Sequence, residues 1–140
     1  NLVYARSSHS ATTLKDGRIL VVGGLGSDKK PMSKVEIYDP KTDAWTATAV
    51  CRSPRADHTA TLLKNGNVLV SGGTSDVGVA STAEIFYPTT ETWEYAGRMY
   101  FARQSHRATL LNDGRVLITG GKGVNKAIDA VEVYNPVTKS

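Results

Sequence analysis

Three histidines, His9, His58 and His106, stand 49 and then 48 residues apart; three imidazoles brought to one point could hold a zinc ion. Three residues before each stands an arginine: Arg6, Arg55 and Arg103. Planar guanidinium forks at equivalent places would suit carboxylates. Glu36, Glu84 and Glu132 keep the same register. The other acidic residues are scattered and mark out no pair for hydrolysis. Cys51 is the one cysteine. No Gly-x-Ser-x-Gly, Cys-x-x-Cys, His-Glu-x-x-His or phosphate-loop pattern occurs. Gly23-Gly-Leu-Gly26 is glycine-rich, but no helix pattern follows it to bind a phosphate.

What positions these groups is a repeat. Each histidine is followed 14 residues later by a glycine pair, Gly23-Gly24, Gly72-Gly73 and Gly120-Gly121. Each Glu is followed four residues later by Pro40, Pro88 or Pro136, and Trp45 and Trp93 lie nine residues beyond the first two Glu. Self-similarity at this period means one supersecondary unit used several times. Within a unit, apolar runs flank Asp16-Gly17, Asn65-Gly66 and Asp113-Gly114, which predicts a tight hairpin, of type I′ with both central residues at positive φ. The glycine pair ends the second strand. A polar loop follows, then a third strand stopped before proline, and a fourth headed by Trp. No stretch has helical periodicity with caps. Four short antiparallel strands per unit predict an all-β fold of propeller blades.

The glycine pair, the Glu-x-Tyr/Phe-x-Pro stretch and the Trp together resemble the kelch repeat, whose period is about 50, over the whole chain. The resemblance implies a partial kelch β-propeller over residues 1–140: a blade at about 1–48, a second at about 49–97, and a third at about 98–140 lacking its outermost strand. Because propellers close with about four to eight blades, the chain is expected to be a piece of a longer kelch protein. Its missing blades would come from the same polypeptide or from another copy. Galactose oxidase-like central domains are more distantly similar; their copper site needs Tyr, His and Cys, and no such set can be placed here.

On this fold, equivalent points around a channel stand too far apart for metal–nitrogen bonds near ~2.1 Å, so no metal or cofactor is expected. The histidines are expected to bond neighbouring-blade backbone. The three Glu should be buried or interblade acceptors, and Trp45 and Trp93 should anchor blade packing. The only length change lies between the glycine pair and Glu, 12 residues in the first unit and 11 in the others. A rigid frame varying in one loop places its binding surface there. The kelch likeness implies that this loop shares a face with the interblade linkers, which would bring Tyr4, Arg52, Tyr100 and Phe101 to it. Candidate binding residues on that face are Arg6, Arg55 and Arg103, with Lys29, Lys30, Lys122, Lys126, Tyr4, Tyr100 and Phe101. The competing role for the arginines is to lock the frame through carboxylates or carbonyls.

The expected function is a noncatalytic scaffold binding a protein partner, with an acidic segment favoured by the net charge of +4. Carbohydrate binding or carbohydrate-directed chemistry is an alternative, since exposed aromatics can stack on sugars. A structural module of a surface or matrix assembly is another. Lys and Arg are dispersed, which disfavours nucleic acid. Cys51 aligns with Leu2 and Met99 and is expected as a buried thiol. There is no signal-peptide pattern and no membrane-length apolar run, and a single cysteine allows no internal disulfide; none of this assigns a compartment.

Overall fold

A computed structural model describes residues 1–140. Three antiparallel sheets follow one another along the chain, with no helix. The first blade is β1 (Ser10–Thr13), β2 (Ile19–Val22), β3 (Val35–Asp39) and β4 (Ala44–Thr48). The second is β5 (Thr59–Leu62), β6 (Val68–Ser71), β9 (Thr82–Tyr87) and β10 (Thr92–Arg98); its β6–β9 loop carries a small hairpin, β7 (Thr74–Ser75) and β8 (Gly78–Val79), which the repeat pattern did not announce. The third has three strands, β11 (Arg107–Leu110), β12 (Val116–Thr119) and β13 (Val131–Tyr134). Sheets of this kind are the blades of a β-propeller, here in an unclosed arc.

The hairpins fall where Asp-Gly and Asn-Gly predicted them, but the turn type differs. Only the glycines are at positive φ, Gly17 at 88°, Gly66 at 91° and Gly114 at 92°. Leu14 N–H donates to Arg18 O at 2.7 Å across a three-residue loop, a tight turn closed by one left-handed glycine. The residue before glycine works through its side chain instead: Asp16 Oδ1 accepts from Arg18 N–H at 3.0 Å, and Asn65 and Asp113 act likewise.

Alternation along the strands gives each blade two apolar faces, and the core is the pair of seams between blades. Leu20, Val22, Val35 and Ile37 of blade 1 meet Val68, Val70 and Phe86 of blade 2, with Trp93 packed against them. Leu69, Ala83 and Ile85 of blade 2 meet Val116, Ile118 and Tyr134 of blade 3. Cys51 sits in the first seam and Met99 in the second, so the aligned apolar column of the sequence is a row of plugs between blades. Each fully buried aliphatic side chain contributes roughly 1.5–3 kcal/mol. Trp93 also donates Nε1–H to Ala49 O of blade 1 at 2.8 Å, fixing an interblade role; Trp45 stacks within its own blade on Tyr38, ring centroids 5.1 Å apart.

Candidate functional site

The loops β2–β3, β6–β9 and β12–β13 open on the same end of the blades as the linkers that lead into them. Beneath that end lies a clasp, built three times. Arg55 Nη2 meets Glu84 Oε1 at 2.6 Å, and its Nη1 donates to Gly72 O at 2.9 Å and Thr82 O at 3.3 Å. Arg6 engages Glu36 at 2.5 Å with Gly23 O and Lys34 O, and Arg103 engages Glu132 at 2.6 Å with Gly120 O and Ala130 O. All three arginine side chains are 0% exposed. Of the two readings of Arg6, Arg55 and Arg103, this burial overturns donors presented to a partner and matches the competing role, locking the frame through carboxylates and carbonyls: their forks are consumed inside the blade. A guanidinium four residues before the first residue of the inner strand reaches the blade's own third strand before it reaches solvent.

The clasp also positions what is exposed. Glu84 takes the backbone N–H of Arg52 at 2.8 Å and of Ser53 at 3.2 Å. Glu36 takes those of Val3 and Tyr4, and Glu132 those of Tyr100 and Phe101. Each blade therefore holds one dipeptide rigidly at the loop end by its backbone while leaving its side chains free to differ: Val3-Tyr4, Arg52-Ser53, Tyr100-Phe101. Sequence reasoning found four of these six residues and missed Val3 and Ser53. The signal available was their fixed place between the apolar plug and the arginine, combined with a change of chemical class in every repeat.

Tyr100 is 86% and Phe101 42% exposed, and their rings meet edge to face at 4.9 Å. Lys29, Lys30, Lys122, Lys126 and Arg52 are exposed, as are Asp28 and Asp76. Val77 and Val124, which the sequence did not single out, add 92% and 73% exposed apolar side chains in the same loops. An open cleft of about 430 Å³ separates Tyr4 from Lys30, Met32 and Lys34 on blade 1, with Lys34 Nζ 5.4 Å from the Tyr4 ring centroid. With the arginines buried, the lysines and Arg52 carry the positive charge of this end.

The histidines line the inner strands. His58 Nε2 lies 2.7 Å from Ser10 Oγ of blade 1, and His106 Nε2 lies 2.9 Å from Thr59 Oγ1 of blade 2. They reach neighbouring-blade hydroxyls rather than the backbone expected, since the backbone there is already paired in the strand ladders. Nδ1 of both rings is buried without a partner. An unmet acceptor costs less than an unmet donor, so we assign the proton to Nε2. Burial, with Arg55 and Arg103 close by, lowers His58 to about 3 and His106 to about 4. The unfolded chain, with ordinary histidines near 6.5, then binds protons that the native state refuses. Their contribution is complete above about pH 6.5 and is lost as pH falls toward the native values. Denaturant titrations at pH 7 and pH 5 should differ by on the order of 2 kcal/mol for each histidine. His58→Gln and His106→Gln should each reduce that difference; an undiminished difference in both variants refutes the assignment.

Cys51 is 2% exposed and donates to Ser33 O and Ser53 O. Burial, with Glu84 nearby, pushes its thiol up to about 12, the setting of a packing residue rather than a nucleophile.

Comparison with known proteins covers the chain end to end: residues 1–140 match the KLHDC2/KLHL20/DRC7 Kelch-repeats domain. Alpha-scruin of Limulus polyphemus is 41% identical over 51 residues, 36% of this chain and 5% of that protein. An F-box/kelch-repeat protein of Arabidopsis thaliana is 45% identical over 40 residues, 29% of this chain and 11% of that protein. Beta-scruin of Limulus polyphemus is 38% identical over 47 residues, 34% of this chain and 5% of that protein. The matched segments thus span a small fraction of these relatives.

Proposed function

Because the chain belongs to the kelch-repeat domain family, whose members typically mediate protein–protein interaction, we propose that it binds a protein partner through the loop end, noncatalytically, and that the partner segment is acidic. The observation that carries this reading is the clasp. Buried Arg–Glu pairs hold Val3-Tyr4, Arg52-Ser53 and Tyr100-Phe101 in one fixed array with freely varying side chains, which is how a frame supplies specificity at low ordering cost. Tyr100 and Phe101 supply apolar contact area of the kind that anchors interfaces. Lys29, Lys30, Lys122 and Lys126 select for carboxylates through long-range attraction.

A library of acidic peptides, screened against the chain at low and high salt, tests this. Binders should weaken as salt rises, and should be lost on the joint reversal Lys29→Glu, Lys30→Glu, Lys122→Glu and Lys126→Glu. Reversal of Lys41, exposed in the β3–β4 turn at the opposite end, should leave binding unchanged. Acidic peptides that bind the reversed protein equally well would exclude the electrostatic part of the reading. Binding that survives Tyr100→Ala with Phe101→Ala would exclude the aromatic anchor.

A further inference from the structure

Ala56 and Gln104 stand at one register of the linkers into blades 2 and 3. Each pairs through its backbone with the loop of its own blade, Ala56 with Thr74 and Gln104 with Lys122. Thr74 N–H donates to Ala56 O at 2.7 Å, and Lys122 N–H to Gln104 O at 2.8 Å. Gln104 does more. Its side-chain carbonyl accepts the Thr74 hydroxyl of the blade before it. Ala56, at the same place on the first seam, has no group to offer the β2–β3 loop. The β6–β9 and β12–β13 loops are therefore bonded to one another, through Gln104, across the seam between blades 2 and 3.

Both loops are stiff, and neither uses its tip side chains for the fold. In the first, Ser75 and Gly78 pair across the tip Asp76-Val77. The Ser75 hydroxyl donates to Gly78 O at 2.9 Å and accepts Val77 N–H at 3.3 Å. In the second, Lys122 pairs with Ala127, and Gly123 N–H donates to Lys126 O at 2.9 Å. Val77, three residues from Thr74, is 92% exposed, and Val124, two residues from Lys122, is 73% exposed. A lone exposed aliphatic is ordinary on any protein, but these two crown a bonded pair of loops. Turn positions are usually filled by Gly, Asn, Asp or Ser, so folding does not ask for valine at either tip. Charge is just as unevenly placed: Asp76 is the one charged residue from Gly72 to Ser81, whereas Lys122 and Lys126 flank Val124. The β2–β3 loop differs, since its outermost residues, Ser27 to Lys30, are polar, and Leu25 and Met32 are half-buried.

We propose that the partner segment of the loop-end reading, on which this inference rests, is seated across the seam between blades 2 and 3. One aliphatic side chain of the segment covers Val77 and Val124, and carboxylates beside it pair with Lys122 and Lys126. The partner is a peptide segment in which an aliphatic residue is bordered by acidic ones. Charge draws the segment in, and the valines distinguish it from a plain acidic run. The bond from Thr74 to Gln104 sets valines and lysines in place beforehand, which reduces the ordering cost of binding.

Two synthetic peptides test the proposal, one of glutamates around a single leucine and one with serine in place of that leucine. Their affinities for the 140-residue chain are read by fluorescence anisotropy. The leucine peptide should bind about tenfold more tightly. Val77→Ser with Val124→Ser, at exposed sites, should leave the far-UV spectrum unchanged and bring the two affinities together. Lys122→Glu with Lys126→Glu should weaken both peptides more than Lys29→Glu with Lys30→Glu, which changes the net charge equally. A leucine preference that is absent, or that survives the loss of both valines, overturns this proposal and leaves the loop-end reading standing. So does a loss from the Lys29 and Lys30 reversals as large as that from Lys122 and Lys126. Peptides that bind no more weakly at high salt than at low salt, or that do not bind at all, overturn the loop-end reading and this inference with it.

Discussion

Arg55→Ala is expected to lower stability by about 3–5 kcal/mol, the cost of leaving one member of a buried ion pair without the other. The guanidinium is 0% and the Glu84 carboxylate 2% exposed, so water cannot replace what is removed. The loss extends past the pair. Gly72 O and Thr82 O each lose a donor, and Glu84, still charged, is left with only the N–H groups of Arg52 and Ser53. A domain of ordinary stability has only about 5–15 kcal/mol in total, so this one change should move the urea midpoint far down. Arg52→Ala, three residues earlier with an exposed side chain, should barely move it. Arg55→Lys should fall between, since a point charge can face Glu84 but cannot fork to two carbonyls as well. Equal midpoints for Arg55→Ala and Arg52→Ala would falsify the structural role of the clasp.

Gly72→Ala should rank beside it. The residue sits at φ +63°, and an added Cβ would lie 2.7 Å from His106 Cε1, 3.0 Å from Met99 Cε and closer still to Arg103 O. That carbonyl cannot retreat without abandoning its 2.8 Å bond from Gly73 N–H, so the methyl must part the seam between blades 2 and 3. Gly17→Ala separates strain from collision: with open space around it, it should cost only the left-handed conformation, about 1–2 kcal/mol. Gly72→Ala should cost a further 1–3 kcal/mol or more for overpacking. Thermal unfolding of the two variants side by side gives the comparison. Equal losses would mean that the glycine pair serves conformation alone.

The architecture was legible because its signals are local and occur three times. Apolar runs around Asp-Gly, the glycine pair and the residue before proline each bias a few dihedrals, and repetition at one register removes the ambiguity that any single copy would carry. The turn type was misread because Asp16 and Asn65 satisfy the turn through side-chain acceptors rather than by adopting positive φ. The arginines were legible as a set, with two directions left open: outward to a partner, or inward to carboxylates and carbonyls. Spacing along a chain says that Arg55 and Glu84 recur together, but only the folded blade brings positions 29 residues apart to 2.6 Å. The side chains of the loop end that remain exposed were mostly found, since Lys29, Lys30, Lys122 and Lys126 lie in the polar loops between the second and third strands of their blades. What spacing alone could not decide was which of its two directions each arginine takes.

Each linker belongs to two blades at once: the backbone of Arg55 is tied to Gly24 and Met32, while its side chain is tied to Gly72, Thr82 and Glu84. Every stretch of 48 or 49 residues, wherever it is cut, therefore encodes one receiving half and one inserting half of a joint. A gene rearrangement that gained or lost such a stretch by unequal recombination would join a matching pair at the new boundary, whatever its breakpoint within the repeat. Blade number can change in a lineage this way with the backbone bonds of the seam kept, leaving the packed side chains such as Cys51 and Met99 to readjust and the exposed dipeptides and loops to vary.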